Sequence, residues 1–255
     1  MPPYRQMGSI PRKRHIAHWH EPGYRNEGIY YEEVLTTAGF GRAYSIAYHL
    51  RPPTRVRKVE AAGPVPLETV PEPALRHHHL KTGRMEPHGD PVSGRVPLLA
   101  NADVVLGRCR PAQPQAELYR NAAADEVLFI HKGRGTLSSM FGVLPLRPYD
   151  YVVVPRTTTY RLDFDPEVEP DLLVIEASET VGVPPRYLNP DGQLRLGAPY
   201  AERDLHGPHP GTIAASRTVT RTDELAVMVD TVRPLALTRQ ALEVDDPNYP
   251  YSWLD

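Results

Sequence analysis

Short apolar runs separated by turn residues fill the middle of the chain, from residue 101 to residue 177. The first run contains Val104 and Leu106, and three more lie at residues 127–130, 151–154 and 172–175. Apolar runs this short, rich in Val and Ile and bounded by turn residues, are typical of β-strands. Several of them at close spacing predict a β-sandwich or a β-barrel.

The expected architecture is two packed antiparallel sheets, with Phe129, Val153 and Val174 pointing into the core between them. Residues 133–135 (Gly-Arg-Gly) predict a hairpin between the runs on either side, and residues 147–150 (Arg-Pro-Tyr-Asp) predict a second turn. No internal repeat interrupts this pattern.

The flanking sequence is less regular. Strands are expected at residues 44–49, 213–219 and 225–232. Residues 51–90 are rich in Pro, Gly and charge, so we interpret them as one long loop. The residues before them read as an N-terminal arm with a basic cluster at 12–15. We expect arm and loop to dock on the sandwich or on a neighbouring subunit.

Composition narrows these expectations. The chain has 29 prolines and 18 glycines, which disfavour long helices. A net charge of -2 gives no field that would recruit nucleic acid or an anionic membrane. With one cysteine, Cys109, no intrachain disulfide or cysteine metal cluster can form, so Cys109 is expected to be a small buried hydrophobe. The opening residues lack an apolar export signal and no segment reaches the ~20 apolar residues of a membrane span, which predicts a cytoplasmic protein.

Part of the central pattern resembles the cupin family of small jelly rolls. Cupins hold a metal ion with a His-x-His pair and a Glu on one stretch, and with a His from a later Pro-x-Gly-x-x-His. Glu126 and Gly133 keep the spacing of the cupin Glu and Gly, and Pro155 begins the later element. The resemblance implies a mainly all-β fold: a cupin-like jelly-roll β-sandwich with long proline-rich loops and an N-terminal arm.

The cupin histidines are replaced. Tyr119 and Asn121 stand where the histidine pair is expected, Thr157 stands for the glycine, and Tyr160 for the last histidine. One carboxylate and an amide lack the nitrogen donors that secure a transition metal, so we expect no metal ligands here. Two structural interpretations of Glu126 stay open: a leftover polar group in a pocket, or a paired group that orients neighbouring loops. Tyr119, Asn121, Glu126 and Tyr160 are the candidate binding residues of this mouth.

Longer segments resemble the N-terminal domain of homogentisate 1,2-dioxygenases. The resemblance extends from about residue 4 to residue 208, and its motifs occur in the family's order. They lie at residues 8–15, 94–103, 119–121, 125–131, 135–142, 151–162 and 202–208. Tyr149 departs from the pattern, because a glycine is usual before Asp150.

This resemblance implies an Fe(II) enzyme of tyrosine and phenylalanine breakdown that opens the ring of homogentisate with dioxygen. The family's first cupin is itself degenerate, and its iron ligands and catalytic histidine lie in a second domain. We therefore expect no catalytic residue and no cofactor in this chain, whereas Fe(II) serves the family's complete enzyme. The expected organisation is an arm and loop region at 1–100, a degenerate cupin at 101–232 and a lead-in to a second domain at 233–255.

Two functional hypotheses follow. In the first, the chain is homogentisate-dioxygenase-like and inactive alone, and works as a homo-oligomer or with a second chain that carries the iron domain. In the second, it is a non-catalytic cupin module that binds a small aromatic acid or a protein partner.

A third, weaker hypothesis is a metal site built from loop histidines. His77, His78 and His79 with His88 form the densest imidazole cluster, and His206 and His209 form a loop pair near Glu202 and Asp204. Consecutive histidines cannot all face one ion, so we expect solvated loops. His131 is expected at the sandwich mouth or at a strand end in water.

Overall fold

The computed structural model of the chain describes residues 31–35, 45–49, 56–64, 67, 69–70, 76–209, 217–221, 225–231 and 237–244. Most of these residues lie in strands. The basic cluster at residues 12–15 of the predicted arm lies outside the described residues.

The described strands, numbered in chain order, are β1 Tyr31–Leu35, β2 Ser45–His49, β3 Val56–Pro64, β4 Arg95–Ala100, β5 Val104–Cys109, β6 Leu118–Asn121, β7 Asp125–Lys132, β8 Gly135–Ser139, β9 Gly142–Leu146, β10 Tyr151–Val154, β11 Thr159–Phe164, β12 Asp171–Ala177, β13 Arg217–Arg221, β14 Leu225–Thr231 and β15 Leu237–Val244. Helical structure in the described parts is limited to the 3₁₀ turns Thr82–Arg84, Pro185–Tyr187 and Glu202–Asp204. The fold is therefore all-β, as the short apolar runs and the many prolines predict.

The strands form three sheets. A five-stranded sheet has the order β10-β7-β12-β5-β4, and a seven-stranded sheet the order β3-β14-β13-β6-β11-β8-β9. A smaller sheet has the order β1-β2-β15. Pairing is antiparallel except between β13 and β6, which run parallel. The two larger sheets make the cupin-like β-sandwich.

The core lies between the two larger sheets. Leu128 and Ile130 of β7 and Val174 of β12 are buried there, together with Leu137 and Leu162 from the other sheet. Side chains alternate between the two faces of a strand, so every second residue of β7 reaches this core. Of the three predicted core residues, Val174 is confirmed.

The predictions for Phe129 and Val153 are wrong. Val153 is 45% exposed and Phe129 is only partly buried, because β7 and β10 present Val127, Phe129 and Val153 on the outer face. Phe129 lies opposite Tyr151, with ring centroids 4.7 Å apart. An unbroken apolar run does not reveal which alternate residues face inward.

Two local predictions also need correction. The Gly133 segment is not a hairpin, because β7 belongs to the five-stranded sheet while β8 pairs with β9 and β11 in the other. The chain crosses between the sheets here, with Gly133 at φ 95°. The predicted loop at 51–90 contains β3, which pairs with β14.

The turn at 147–150 is confirmed by a hydrogen bond from the Asp150 amide to the Arg147 carbonyl (3.2 Å).

Candidate functional site

The four predicted mouth residues lie together inside the sandwich. Tyr119 and Asn121 are on β6 and Tyr160 is on β11, so these three come from the seven-stranded sheet. Glu126 comes from β7 in the facing sheet. All four are buried, and Glu126 and Tyr160 are fully enclosed. The cupin spacing therefore located a cluster that spans both sheets.

Glu126 is held by donors on both carboxylate oxygens. The Tyr160 hydroxyl donates to Oε2 at 2.5 Å, and Asn121 Nδ2 donates to Oε1 at 3.1 Å. Asn121 is fixed in turn, because its Oδ1 accepts hydrogen bonds from the Ala123 and Ala124 amides (3.0 Å each). The structure thus shows the paired arrangement of Glu126 and not a leftover polar group.

The remaining partner of Glu126 is Arg95, at the start of edge strand β4. Its Nη1 forms an ion pair with Glu126 Oε1, its Nη2 donates to the Tyr160 hydroxyl (2.8 Å), and its Nε donates to the Pro91 carbonyl (3.0 Å). The guanidinium carbon lies 5.1 Å from the centre of the Tyr119 ring, within cation–π range. A cation from the protein itself therefore occupies the middle of the mouth.

Arg95 also contacts a second carboxylate, Glu176 of β12. Glu176 lies directly opposite Glu126 in the antiparallel pair of β12 and β7. Like charges facing each other across a strand pair are destabilising unless a counter-charge lies between them. Arg95 Nη1 lies 3.3 Å from Glu176 Oε1, so one guanidinium bridges the two carboxylates.

A tight turn before β4 places Arg95. Asp90 Oδ1 accepts hydrogen bonds from the Val92 and Ser93 amides at 2.8 and 2.7 Å, and the Gly94 amide donates to the Asp90 carbonyl at 2.8 Å. A Cβ at Gly94 would lie 2.3 Å from the His88 carbonyl oxygen, so only glycine fits. The turn supplies the Pro91 carbonyl that receives the Arg95 Nε–H.

The protonation states of the cluster follow from its contacts. Burial alone lowers the pKa of Arg95, but the charge of Glu126 and the other acidic groups around it raise that pKa well above its usual value. Burial raises the pKa of Tyr160, and Glu126 adds to this rise while Arg95 opposes it. Tyr160 therefore stays protonated and donates a hydrogen bond to Glu126.

These residues do not fit an iron ion. Only Glu126 of the cupin ligand set is present, and its oxygens are taken by Arg95, Tyr160 and Asn121. Arg95 cannot be deprotonated to become a ligand. Elsewhere in the described part of the chain, no three His, Cys, Asp or Glu side chains lie close enough to hold a metal.

A second buried carboxylate, Asp125, lies beside Glu126 on β7 and holds the rim of the mouth. Its oxygens accept hydrogen bonds from the Arg156 and Val181 amides, both at 2.9 Å. Arg156 Nε lies 3.2 Å from Asp125, and Arg156 Nη2 donates to the Ser178 carbonyl at 2.5 Å. Asp125 thus ties the loop after β10 to the segment after β12.

Two residues, one on each side of β10, have left-handed backbone conformations. Thr157 has φ 68° and Tyr149 has φ 75°. These are the two positions where the sequence carries a side chain in place of an expected glycine. A residue other than glycine, above all a β-branched one, is strained at such angles. The backbone has kept a glycine conformation at positions that have lost the glycine.

The other candidate residues lie apart from this cluster. His77, His78, His79, His88, His206 and His209 are exposed. His131 is exposed at the end of β7, with its ring centroid 6.4 Å from that of Phe129. Cys109 is buried as predicted, and burial raises its pKa to about 12.

Sequence reasoning missed Arg95 and Glu176. Arg95 lies in the segment 94–103, which contributed to the family resemblance but not to the site. Its role follows from a physical requirement, since a buried carboxylate without histidine or metal partners needs another cation. Glu176 directly follows the apolar run at 172–175 and was not among the candidate residues.

No family model matches the sequence. The chain is 34% identical over 207 residues to the protein named Putative dioxygenase SSO1533 of Saccharolobus solfataricus, a match that covers 80% of this chain and 52% of that protein. The chain therefore spans about half the length of this curated relative.

Solved structures that match part of the chain include a cupin protein from Bacteroides fragilis, with 15% identity, 40% of this chain and 89% of that chain covered, and a TM-score of 0.31. A cupin-2 domain containing protein from Shewanella frigidimarina has 14% identity, 32% and 78% coverage, and a TM-score of 0.28.

In the described parts of the chain, none of the helices has the length and apolar character needed to cross a membrane. The described part of the chain is all-β and contains a cupin-like sandwich, and the chain has a homologue that carries a dioxygenase name.

Proposed function

We propose that this chain is the metal-free cupin part of a homogentisate 1,2-dioxygenase-type enzyme. The resemblance of seven ordered motifs to that family supports the proposal, and so does the similarity to a protein named as a dioxygenase. Iron and the ring-opening chemistry then belong to protein outside the described residues. A homo-oligomer, or a second chain that carries the iron ligands, is the expected assembly.

One observation carries the proposal: Arg95 fills the mouth of the sandwich and bonds the carboxylate that a metal would use. Because Glu126 already has Arg95, Tyr160 and Asn121 as partners, it is not available as a ligand or as a base. The role that fits these residues is to hold a rigid sandwich against which the iron-bearing part is positioned.

The same contacts weigh against a small aromatic acid in the mouth. Such a ligand would need free donors for its carboxylate, whereas the guanidinium of Arg95 donates to two carboxylates, a hydroxyl and a carbonyl of the protein. For the non-catalytic alternative, these contacts favour a protein partner over a small aromatic acid. Such a partner would bind the exposed aromatic face around Tyr151.

The test is anaerobic loading with Fe(II), followed by a measurement of oxygen uptake with homogentisate. The chain alone should retain no iron after desalting and should take up no more oxygen than Fe(II) in buffer. Co-expression with a chain that carries the other half of the relative's length should give a complex with homogentisate-dependent oxygen uptake and maleylacetoacetate as product.

Other outcomes separate the parts of the proposal. A complex that opens a different substituted aromatic ring would retain the scaffold role and exclude homogentisate as substrate. If the chain alone binds iron and forms maleylacetoacetate, the metal-free role is wrong.

A further inference from the structure

We propose that the mouth of this sandwich is a cation site in which the Arg95 guanidinium is the resident cation, and that Arg95 itself keeps metal ions out. The loss of the cupin histidines is then only part of the reason why the residues of this mouth do not fit a metal ion. The inference does not depend on the substrate proposed above.

The geometry around Arg95 is that of a binding site and not of a single ion pair. Two carboxylates, a hydroxyl and a main-chain carbonyl accept from one guanidinium, and an aromatic ring lies against it. The side chains of Arg95, Glu126 and Glu176 are each at least nine-tenths buried. The acceptors come from both sheets and from the turn before β4, so the site is formed by the folded sandwich.

Removal of the guanidinium leaves oxygen donors facing one another. Glu126 and Glu176 are cross-strand neighbours, and the Tyr160 hydroxyl oxygen lies against Glu126. Carboxylate and hydroxyl oxygens are ligands for hard divalent cations such as Mn²⁺. The vacated site should therefore accept either a free guanidinium ion or Mn²⁺.

The experiment compares Arg95→Ala with the unaltered chain and with Arg108→Ala. Arg108 is the matched control, because it forms a largely buried bidentate pair with Asp171 alone and not a multi-acceptor site. Thermal midpoints are measured with millimolar guanidinium chloride, with urea as a neutral analogue of similar shape, and with NaCl at equal ionic strength. Mn²⁺ binding is followed by electron paramagnetic resonance.

Guanidinium should raise the midpoint of Arg95→Ala by several degrees and leave the unaltered chain and Arg108→Ala unchanged, while urea and NaCl should have no such effect. Arg95→Ala should bind about one Mn²⁺ per chain. An added Glu126→Gln substitution should abolish this binding, and guanidinium should displace the Mn²⁺.

The proposal is overturned if folded Arg95→Ala responds to neither cation, or if the unaltered chain binds Mn²⁺ through Glu126. Should Arg95→Ala fail to fold, refolding must depend on guanidinium or Mn²⁺, and failure of both also overturns it. The doubly neutral Arg95→Met/Glu126→Gln chain should fold without either cation and should not respond to them.

Discussion

Asp125 and Glu126 are adjacent buried carboxylates on β7, yet they are stabilised in different ways. Asp125 accepts from two backbone amides, those of Arg156 and Val181, and from the partly exposed Arg156 side chain. Glu126 relies on side chains alone, chiefly Arg95 and Tyr160. The first carboxylate belongs to the rim of the sandwich, and the second to its interior.

The two carboxylates differ in whether their hydrogen-bond donors can be removed by substitution. Backbone amides cannot be mutated away or titrated, so Asp125 keeps its donors as long as the two loops stay in place. Each donor of Glu126 can be lost by a single substitution, and one of them is a phenol that at high pH keeps its proton only while the chain is folded. Side-chain substitutions and alkali should therefore destabilise the interior cluster around Glu126. The contacts of Asp125 at the rim should instead depend on the conformation of the two loops.

The largest expected effect is that of Arg95→Met, which keeps the volume but removes the charge. Two facing carboxylates, Glu126 and Glu176, would then lack their shared counter-ion. Loss of one partner of a buried ion pair costs about 3–5 kcal/mol. Urea denaturation should show this loss, and Arg95→Met/Glu126→Gln should recover a substantial part of it. A double variant no more stable than the single one would argue against the shared-cation arrangement.

Asp125→Asn should have a smaller and more local effect. The amide group replaces one accepting oxygen with a donor, which leaves the Arg156 or the Val181 amide without its acceptor and costs about 1–3 kcal/mol. Hydrogen exchange should speed up at whichever of the two amides loses its acceptor, while the core of β7 keeps its protection. Glu126→Gln is the control, since it should leave the exchange of the Val181 amide unchanged. Equal effects of both variants on that amide would mean that the two carboxylates are not independent.

Alkali should distinguish the two sites as well. Burial raises the pKa of Tyr160 above its usual value, so the folded state keeps a proton that the unfolded state loses above about pH 10. Its contribution to stability is complete below that pH and falls as the pH rises, by about 1.4 kcal/mol per pH unit. Urea denaturation between pH 10 and 11 should show a shallower decline for Tyr160→Phe. Tyr151→Phe, on the exposed face, is the control and should follow the unaltered chain.

The sequence predicted the strands well and their orientation less well. The runs at 127–130, 151–154 and 172–175 all lie in strands, because Val- and Ile-rich segments between turn residues have few alternatives. Phe129 and Val153 were placed on the wrong face because both faces of β7 and β10 carry apolar residues. Only the packing of the second sheet determines which of the two faces is covered.

The residues of the site likewise fall into those that the sequence could predict and those that it could not. Tyr119, Asn121, Glu126 and Tyr160 could be found because the cupin spacing survives after its ligands have changed. Arg95 could not, since it lies 31 positions from Glu126 and reaches it only when β4 joins the sheet edge. A long-range ion pair leaves no local pattern in a single sequence, whereas a replaced glycine does, as Thr157 shows.

The smallest expected effect is that of Thr157→Gly, in the loop that serves both carboxylates. Arg156 binds Asp125, and the Thr157 amide donates to the Asn121 carbonyl (2.7 Å) beside Glu126. With φ at 68°, a threonine is strained by about 1–2 kcal/mol, and glycine removes that strain at a cost of about 0.5–1 kcal/mol in chain entropy.

Thr157→Gly should therefore stabilise the chain by about 1 kcal/mol or slightly less, because both carboxylates keep their partners. Thr157→Ala is the control, since it loses the β-branch but keeps a Cβ in the strained region and should recover less. Urea denaturation of the unaltered chain, Thr157→Gly and Thr157→Ala gives their order of stability. Tyr149→Gly, at φ 75°, should change stability in the same direction as Thr157→Gly. If Thr157→Gly is less stable than Thr157→Ala, the threonine side chain must contribute more to the rim than its backbone strain costs, and the loop would be held by side chains as Glu126 is.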